Sequence, residues 1–325
     1  MILVTGAAGL IGSAVVRELN ERGETDLLLV DHLGTTEKWK NLRSLRFIDY
    51  LEKDDFEIRF LDRDHPLWKE IRGIVHLGAC SSTIEMDASY LIENNFRFSK
   101  RLAERAEAQK IRMVYASSAA TYGDGENGFF DDEASIEKLR PLNPYGYSKQ
   151  IFDLYLKRRG FSGFAGIKYF NIFGPNESHK GPMISMVLRG YRQIRETGEL
   201  RLFKSYHPDY SDGKQVRDFL YVKDAARMTV FLLLDAPGVS GLFNVGSGVA
   251  STWIDLGQAI FAALSMKPKI VFIDMPESLR PNYQYFTQAP IEKIRRAGYS
   301  QSITPLTEAI ADYVQNYLSH GEIHA

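Results

Sequence analysis

The sequence predicts an α/β fold, a doubly wound parallel sheet joined to a smaller, interleaved α/β part. Three observations predict it. Short β-rich runs alternate with helical patterns through the first half of the chain, the order that parallel βαβ units impose. The first run, Ile2-Leu3-Val4, leads directly into Thr5-Gly6-Ala7-Ala8-Gly9-Leu10-Ile11-Gly12, with Gly6, Gly9 and Gly12 three apart, which reads as strand, tight turn and helix. After Phe170 the rhythm breaks into a loop bearing Gly, Pro and His, where a second part begins. The first part is therefore read as a Rossmann-type sheet.

The elements follow in order. Residues 2–4 are the first strand, 10–22 a helix and 27–31 the second strand, with further strands at 57–61 and 74–77. A long amphipathic helix is expected over 88–108, a strand over 112–116, a helix over 145–159 and a strand over 165–169. Then come the loop 174–182, a helix over 184–197 and a polar stretch, 205–214. Strand and helix patterns resume at 219–222 and 224–234, so the two parts interleave. One domain comprises 1–170, with about 219–243 and 285–312 returning to it. The other comprises about 171–218, 244–284 and 313–325. No internal repeat, low-complexity tract or flexible linker interrupts them.

Composition narrows the function. A chain of 325 residues with 44% hydrophobic and 25% charged residues can bury a large core, and a net charge of −1 creates no field that would gather nucleic acid or an anionic membrane. The expected partner is a small molecule. Cys80 is the only cysteine, which excludes an intramolecular disulfide, and the histidines lack paired metal spacing, so no metal is expected. The chain enters its first strand without a basic leader or a long apolar stretch, so a cytoplasmic location is expected.

The motifs point to a reaction. A turn built on Gly6, Gly9 and Gly12 frees the backbone N–H groups of the next helix to hold a pyrophosphate, so a dinucleotide cofactor is expected. Tyr145 and Lys149 lie one helical turn apart at the start of a predicted helix, where the lysine ammonium would favour the phenolate and make the tyrosine a usable base. Tyr210 and Lys214 share that spacing but sit in a turn-like polar stretch, and that pair is read as accidental. Ser118 lies where the strand 112–116 ends in hydroxyl residues, and the carboxyl ends of parallel strands are where ligands bind. Asp31 closes the second strand and, taken alone, favours NAD through its adenosine ribose.

Thr-Gly-x-x-Gly-x-x-Gly, Ser117-Ser118-Ala119-Ala120-Thr121-Tyr122-Gly123, Tyr-x-x-x-Lys, Arg217-Asp218-Phe219-Leu220-Tyr221-Val222-x-Asp224 and Phe243-Asn244-Val245-Gly246 together resemble the extended short-chain dehydrogenase/reductase family of nucleotide-sugar enzymes. Within it, His76-Leu77-Gly78-Ala79-Cys80-Ser81-Ser82-Thr83, Asn94-Asn95, Tyr169 to Pro175, Ser178-His179-Lys180-Gly181 and Tyr283 to Ala289 are similar to the epimerases. The resemblance implies a redox-neutral isomerase that transiently oxidises a nucleotide sugar at carbon 6, with a product destined for lipopolysaccharide. Another epimerase or a reductase of the same family is the alternative, and a non-catalytic NADP sensor the rival from another class. Ser118, Tyr145 and Lys149 would then be catalytic, with Lys180 the second acid/base across the sugar.

The same resemblance assigns the binding residues. Lys38 and Lys53, with His32 as a further donor, stand at basic positions used around the NADP 2′-phosphate, so NADP is expected over NAD despite Asp31. Leu10, Ile11, Leu77, Gly78, Ala79, Cys80, Ser81, Asn94, Lys149, Ile172 and Lys180 are its other contacts, with Cys80 a packed small side chain. Ser118, Asn171, Pro182, Arg189, Phe203, Lys204, Ser205, Tyr206, Arg217 and Tyr283 are assigned to the sugar nucleotide. Pro182 and Arg189 depart from the serine and histidine expected there, and 205–214 is longer than usual. The resemblance also implies a homo-oligomer and suggests a pentamer.

Overall fold

Continuous apolar runs become fully covered strands. Every residue of β1 (Ile2–Thr5), β2 (Leu27–Asp31) and β4 (Gly73–His76) is buried, whereas β3 (Asp49–Glu52) is only partly covered, as expected for central and edge strands of a parallel sheet. The computed structural model describes residues 1–321, apart from the side chains of Pro281 and Asn282. With β5 (Arg112–Ala116), β6 (Phe164–Tyr169) and, beyond a second set of strands, β10 (Gly241–Val245), these form a seven-stranded sheet in the order β10-β6-β5-β4-β1-β2-β3. All six pairings are parallel.

Helices cover both faces. Ile2, Val4, Val75 and Val114 pack against Val15 and Leu19 of α1 (Leu10–Glu21), while Leu3, Ile74 and Met113 meet the opposite layer, including Leu102 and Phe152. That layer contains α3 (Ala88–Leu91), which continues through a wider π turn, Ile92–Arg97, into α4 (Phe98–Ala108), and then α5 (Pro144–Arg159). The chain runs outward one way from β1 through β2 and β3, and the other way from β4 through β5, β6 and β10. A crevice therefore opens between the carboxyl ends of β1 and β4, the switch point where ligands bind in such sheets.

The strand expected at 57–61 is not formed. Those residues continue α2 (Lys53–Phe56) as a π turn, Glu57–Leu61, and the edge strand is β3 instead. Glu-Ile-Arg-Phe-Leu alternates polar and apolar residues, but its burial is one-sided in the helical sense: Phe56 and Leu61 enter the core and Ile58 is 58% exposed. Lys53 and Glu57 pair one turn apart at 3.3 Å, and Arg101 of α4 reaches both Glu57 and Asp62. Tertiary contacts overrode the alternation.

The second part is built on two small sheets. β9 (Val216–Tyr221) lies between β7 (Asn171–Phe173), to which it is parallel, and β11 (Ala250–Thr252), to which it is antiparallel; β8 (Leu200–Phe203) pairs with β12 (Ile270–Ile273). The run expected at 219–222 therefore joins a small sheet, and what returns to the large one is α7 (Val222–Val230), packed on α1, and β10. α6 (Met186–Thr197), α8 (Trp253–Ala263) and α10 (Leu306–Asn316) share one core through Leu188, Ile260 and Ile310, whereas α9 (Glu292–Arg296) sends Ile294 into the core of the large sheet. α10 thus departs from the expected return of 285–312, because Ala309, Ile310, Tyr313 and Val314 turn one apolar face toward α8. Residues 322–325 of the last expected segment lie outside the described residues.

Candidate active site

The glycine turn is a forced geometry. Gly6 leaves β1 with φ +70°, and a Cβ on Gly12 would stand 1.9 Å from the Gly6 carbonyl oxygen, a contact only glycine avoids. The turn itself packs against residues 77–78 at Gly6 and leaves the first N–H groups of α1 without carbonyl partners of its own. Gly6, Gly9, Leu10, Ile11 and Gly12 line one wall of a cleft of about 580 Å³ at the switch point, and Leu77, Gly78, Ala79, Cys80 and Ser81 line the next. A helix N-terminus approached this closely by backbone suits a dinucleotide pyrophosphate.

Asp31 ends β2 at the edge of the cleft. One carboxylate oxygen accepts from Ala8 N at 2.7 Å; the other accepts from His32 N at 2.7 Å and from Lys38 Nζ at 2.6 Å. Lys53 Nζ donates to Asn94 Oδ1 at 2.7 Å, and burial pulls its ammonium below the usual lysine range. Asp31, His32, Lys38, Lys53 and Asn94 line an adjoining hollow of about 350 Å³, so the two lysines border one space.

Ser118, Tyr145 and Lys149 stand after β5 and on α5. Ser118 caps a short helical turn at the carboxyl end of β5, its Oγ accepting from Ala120 N at 3.1 Å. Asn143 caps α5 through a bond from Gly146 N at 2.8 Å, with Pro144 in the first helical position. Gly146 lets α5 approach the turn after β5, since a Cβ there would lie 2.7 Å from the Ala120 carbonyl oxygen. Tyr145 and Ser118 thereby line the same cleft. Burial raises the Tyr145 phenol above its ordinary value and the Ser118 contact opposes the rise, so the depression expected from Lys149 is not found. The Lys149 ammonium donates to the Ala116 carbonyl at 2.9 Å, and burial brings it down to about 8 against the pull of Asp153.

Lys180 enters from the loop after β7. Glu177, fully buried, accepts from Gly174 N at 3.3 Å, from Ser185 Oγ at 2.7 Å and from Ser185 N, which closes the loop on itself. Burial lowers the Lys180 ammonium and Glu177 partly restores it. Asn41 Nδ2 donates to the carbonyls of Ala8 at 2.8 Å and Asn176 at 3.2 Å and lies 3.4 Å from His179 Nδ1, tying this loop to the glycine turn. Ser118, Tyr145, Lys149, Lys180, Asn171 and Ile172 all line the cleft.

Other expected residues lie apart from the cleft lining. Arg217 is buried, with its guanidinium 5.2 Å from the Tyr283 ring and 5.6 Å from that of Trp253, and it donates to the carbonyls of Val216 and Gln284. Lys204 and Tyr206 both bond Asp274, and Ser205 N donates to Asp212 Oδ1 at 2.7 Å. Phe203 ends β8 beside them, while Arg189 is turned outward to the Pro182 carbonyl at 2.8 Å. Gln284, which adjoins Tyr283, does line the cleft, with Thr287 and Met183.

Sequence reasoning missed Glu177, Asn41 and Asn95 as supports. Asn95 holds Cys80 through both backbone groups, at 2.8 and 2.9 Å, and bonds Ser148 of α5 at 3.0 Å. The Asn94-Asn95 pair and the Tyr283 to Ala289 segment carried the signal for Asn95, Gln284 and Thr287; no local pattern marks Glu177 or Asn41. Among the described residues no group of three His, Cys, Asp or Glu could hold a metal, and no helix is long and apolar enough to cross a membrane.

The chain matches the family described as NAD dependent epimerase/dehydratase over residues 2–246. It is 51% identical over 320 residues, 98% of each chain, to the ADP-L-glycero-D-manno-heptose-6-epimerase of Nitratidesulfovibrio vulgaris. The crystal structure of the Helicobacter pylori ADP-L-glycero-D-manno-heptose-6-epimerase aligns with a TM-score of 0.76 at 25% identity, covering 97% of this chain and 95% of that one. A UDP-N-acetylglucosamine 4-epimerase from Methanobrevibacter ruminantium, at 22% identity, shares the fold with a TM-score of 0.82 over 98% of each chain.

Proposed function

The chain belongs to the NAD dependent epimerase/dehydratase family, and from that premise we propose that it interconverts ADP-D-glycero-β-D-manno-heptose and ADP-L-glycero-β-D-manno-heptose by transient oxidation at carbon 6. One observation supports the chemistry above all: Ser118, Tyr145 and Lys149 share a single cleft with Lys180, beside a turn shaped for a dinucleotide. A nicotinamide cofactor bound there supplies reversible hydride exchange with the carbinol carbon.

The chain's own groups handle the protons. Burial favours the neutral form of both Tyr145 and Lys180, so the phenol is suited to donate a proton and the amine to accept one. Ser118 hydrogen-bonds the reacting oxygen beside Tyr145. Inversion needs a proton relay on each face of the carbonyl carbon, and two groups from separate elements serve that need whichever acts first.

We infer NADP rather than NAD, because both Asp31 oxygens are already engaged and Lys38 and Lys53 border the space next to it. In this reading 1–170, with α7, β10 and α9, binds the cofactor. The remainder binds the sugar nucleotide through Arg217, Tyr283, Lys204 and their neighbours. The enzyme is cytoplasmic, homo-oligomeric and supplies lipopolysaccharide core synthesis.

Isotope retention tests the reaction. Substrate deuterated at carbon 6 gives epimer that still carries the label, and unlabelled substrate turned over in heavy water gains none at that carbon. Washout of the label would mean deprotonation at carbon and would overturn the proposal. Consumption of reduced cofactor in proportion to product would make the protein a reductase instead.

A further inference from the structure

Beneath the reacting groups lies a buried ion pair that proton transfer does not use. Asp153 and Lys168 have side-chain exposures of 0% and 1% and stand 3.3 Å apart. Asp153 sits on α5 one helical turn after Lys149. Its Oδ1 accepts from Tyr115 Oη at 3.0 Å and its Oδ2 from Ser117 Oγ at 2.7 Å. Lys168, on β6, donates to Thr121 Oγ1, and Thr121 Oγ1 in turn donates to the Ser118 carbonyl at 2.7 Å. The two ions thus hold the carboxyl end of β5 from both sides: Ser117 through Asp153 and the Ser118 turn through Lys168. Ala116, whose carbonyl takes the Lys149 ammonium, lies between the two residues bound to Asp153.

Isolated surface ion pairs contribute little, and a buried pair of this kind adds no assured stability over apolar packing. Its geometry gives it another use. We infer that Asp153 is a positioning residue for Lys149: bound by Tyr115 and Ser117 and paired with Lys168, it is held one turn below Lys149 and places a negative charge there. This rests on the reading of Ser118, Tyr145 and Lys149 as the reacting set.

The charges around this pair come from several elements. Cys80 from the loop after β4 acts on Lys149 in the same sense as Asp153, while Lys149 in turn depresses His76 of β4. Asp131 and Glu133 act on Lys168, and Glu133 also on Tyr115. Asp153 is the one that shares a helix with Lys149, and it leads the influences that offset burial there. Removing its charge therefore lowers the pH at which Lys149 loses its proton.

Competitive acylation of the holoenzyme with acetic anhydride across pH, read by mass spectrometry at Lys149, measures that pH without turnover. In the wild type half-labelling falls near the value of about 8 given above. In Asp153→Asn it falls by roughly one pH unit. Asp153→Asn leaves Lys168 buried without its partner, so Asp153→Asn/Lys168→Met, which removes both charges, is the form expected to fold normally and it shows the same fall. Lys168→Met alone shows none. Labelling of the double variant at the wild-type pH, or an equal fall in Lys168→Met, would overturn the inference, since a purely structural role moves no titration.

Lys149→Met separates this from the premise. It removes the ammonium from the reacting set, so turnover falls by roughly 10²-fold or more if Lys149 serves the reaction. Near-normal turnover removes Lys149 from the mechanism and leaves the acylation result intact.

Discussion

Tyr145 and Lys180 are pushed toward their neutral forms by the same cause, burial in the cleft wall. Substituting Tyr145→Phe or Lys180→Met removes a proton-transfer group while leaving the packed volume nearly unchanged. Each is expected to lower turnover by roughly 10²-fold or more, the ordinary scale of positioned acid–base catalysis, with circular dichroism and cofactor content unchanged; near-normal turnover of Lys180→Met would remove the two-group mechanism. His76 makes a second residue-scale prediction. Buried between Thr5 Oγ1 at 2.6 Å and Ser99 Oγ at 2.7 Å, it is lowered from 6.5 to about 3 by burial first and then by Lys149 and Lys53. The unfolded chain binds this proton more readily, so the contribution of neutral His76 is fully present above about 6.5 and is lost progressively as pH falls from there toward 3. Urea unfolding at pH 7 and pH 5 is expected to show a wild-type loss about 2 kcal/mol greater than that of His76→Gln. Equal slopes would show that His76 accepts a proton in the native state.

The strand, turn and helix of residues 2–21 was legible because its constraint is local: apolar residues that a parallel strand buries, then glycines that the turn geometry demands. Gly12→Ala places a methyl group against the Gly6 carbonyl and is expected to abolish cofactor retention and lower the melting temperature; normal cofactor content after purification would show that the turn can relax. Helix 53–61 was misread for the opposite reason. Its alternation satisfied a strand, and what decided its state was burial of Phe56 and Leu61 in the core, with Arg101 from far along the chain meeting Glu57 and Asp62 outside it. Lys38 and Lys53 come from different elements and border the same hollow. Replacing both with alanine is expected to weaken NADP selectively relative to NAD, read by fluorescence titration, because only NADP carries the 2′-phosphate. An equal loss for both cofactors would assign the lysines another role.

At the scale of the whole molecule, the cleft exists because strand order reverses between β1 and β4 while a second set of small sheets stands beside that gap. The homo-oligomer inferred above is expected to elute with a light-scattering mass that is a multiple of 36.9 kDa; a mass of one chain at micromolar concentration would refute it. Hydrogen exchange on adding ADP is expected to slow in 203–214 and 283–285, where Arg217, Tyr283, Lys204 and Tyr206 gather outside the cleft lining. Unchanged exchange there would move the nucleotide elsewhere. By itself the sequence determined the doubly wound class, the glycine turn and, through resemblance, the family, and it picked out Ser118, Tyr145 and Lys149, which line one cleft. These features rest on spacing within one strand, turn or helix, or on motifs that persist in order along the chain. The tertiary structure alone decided that β9 leaves the large sheet, that α10 joins the smaller part, that Tyr145 is raised by burial, and that Glu177, Asn41 and the Asp153–Lys168 pair brace the loop after β7 and the turn after β5. Each of those depends on groups far apart in sequence meeting in space, and burial acts on a charge only once the surrounding chain has closed over it.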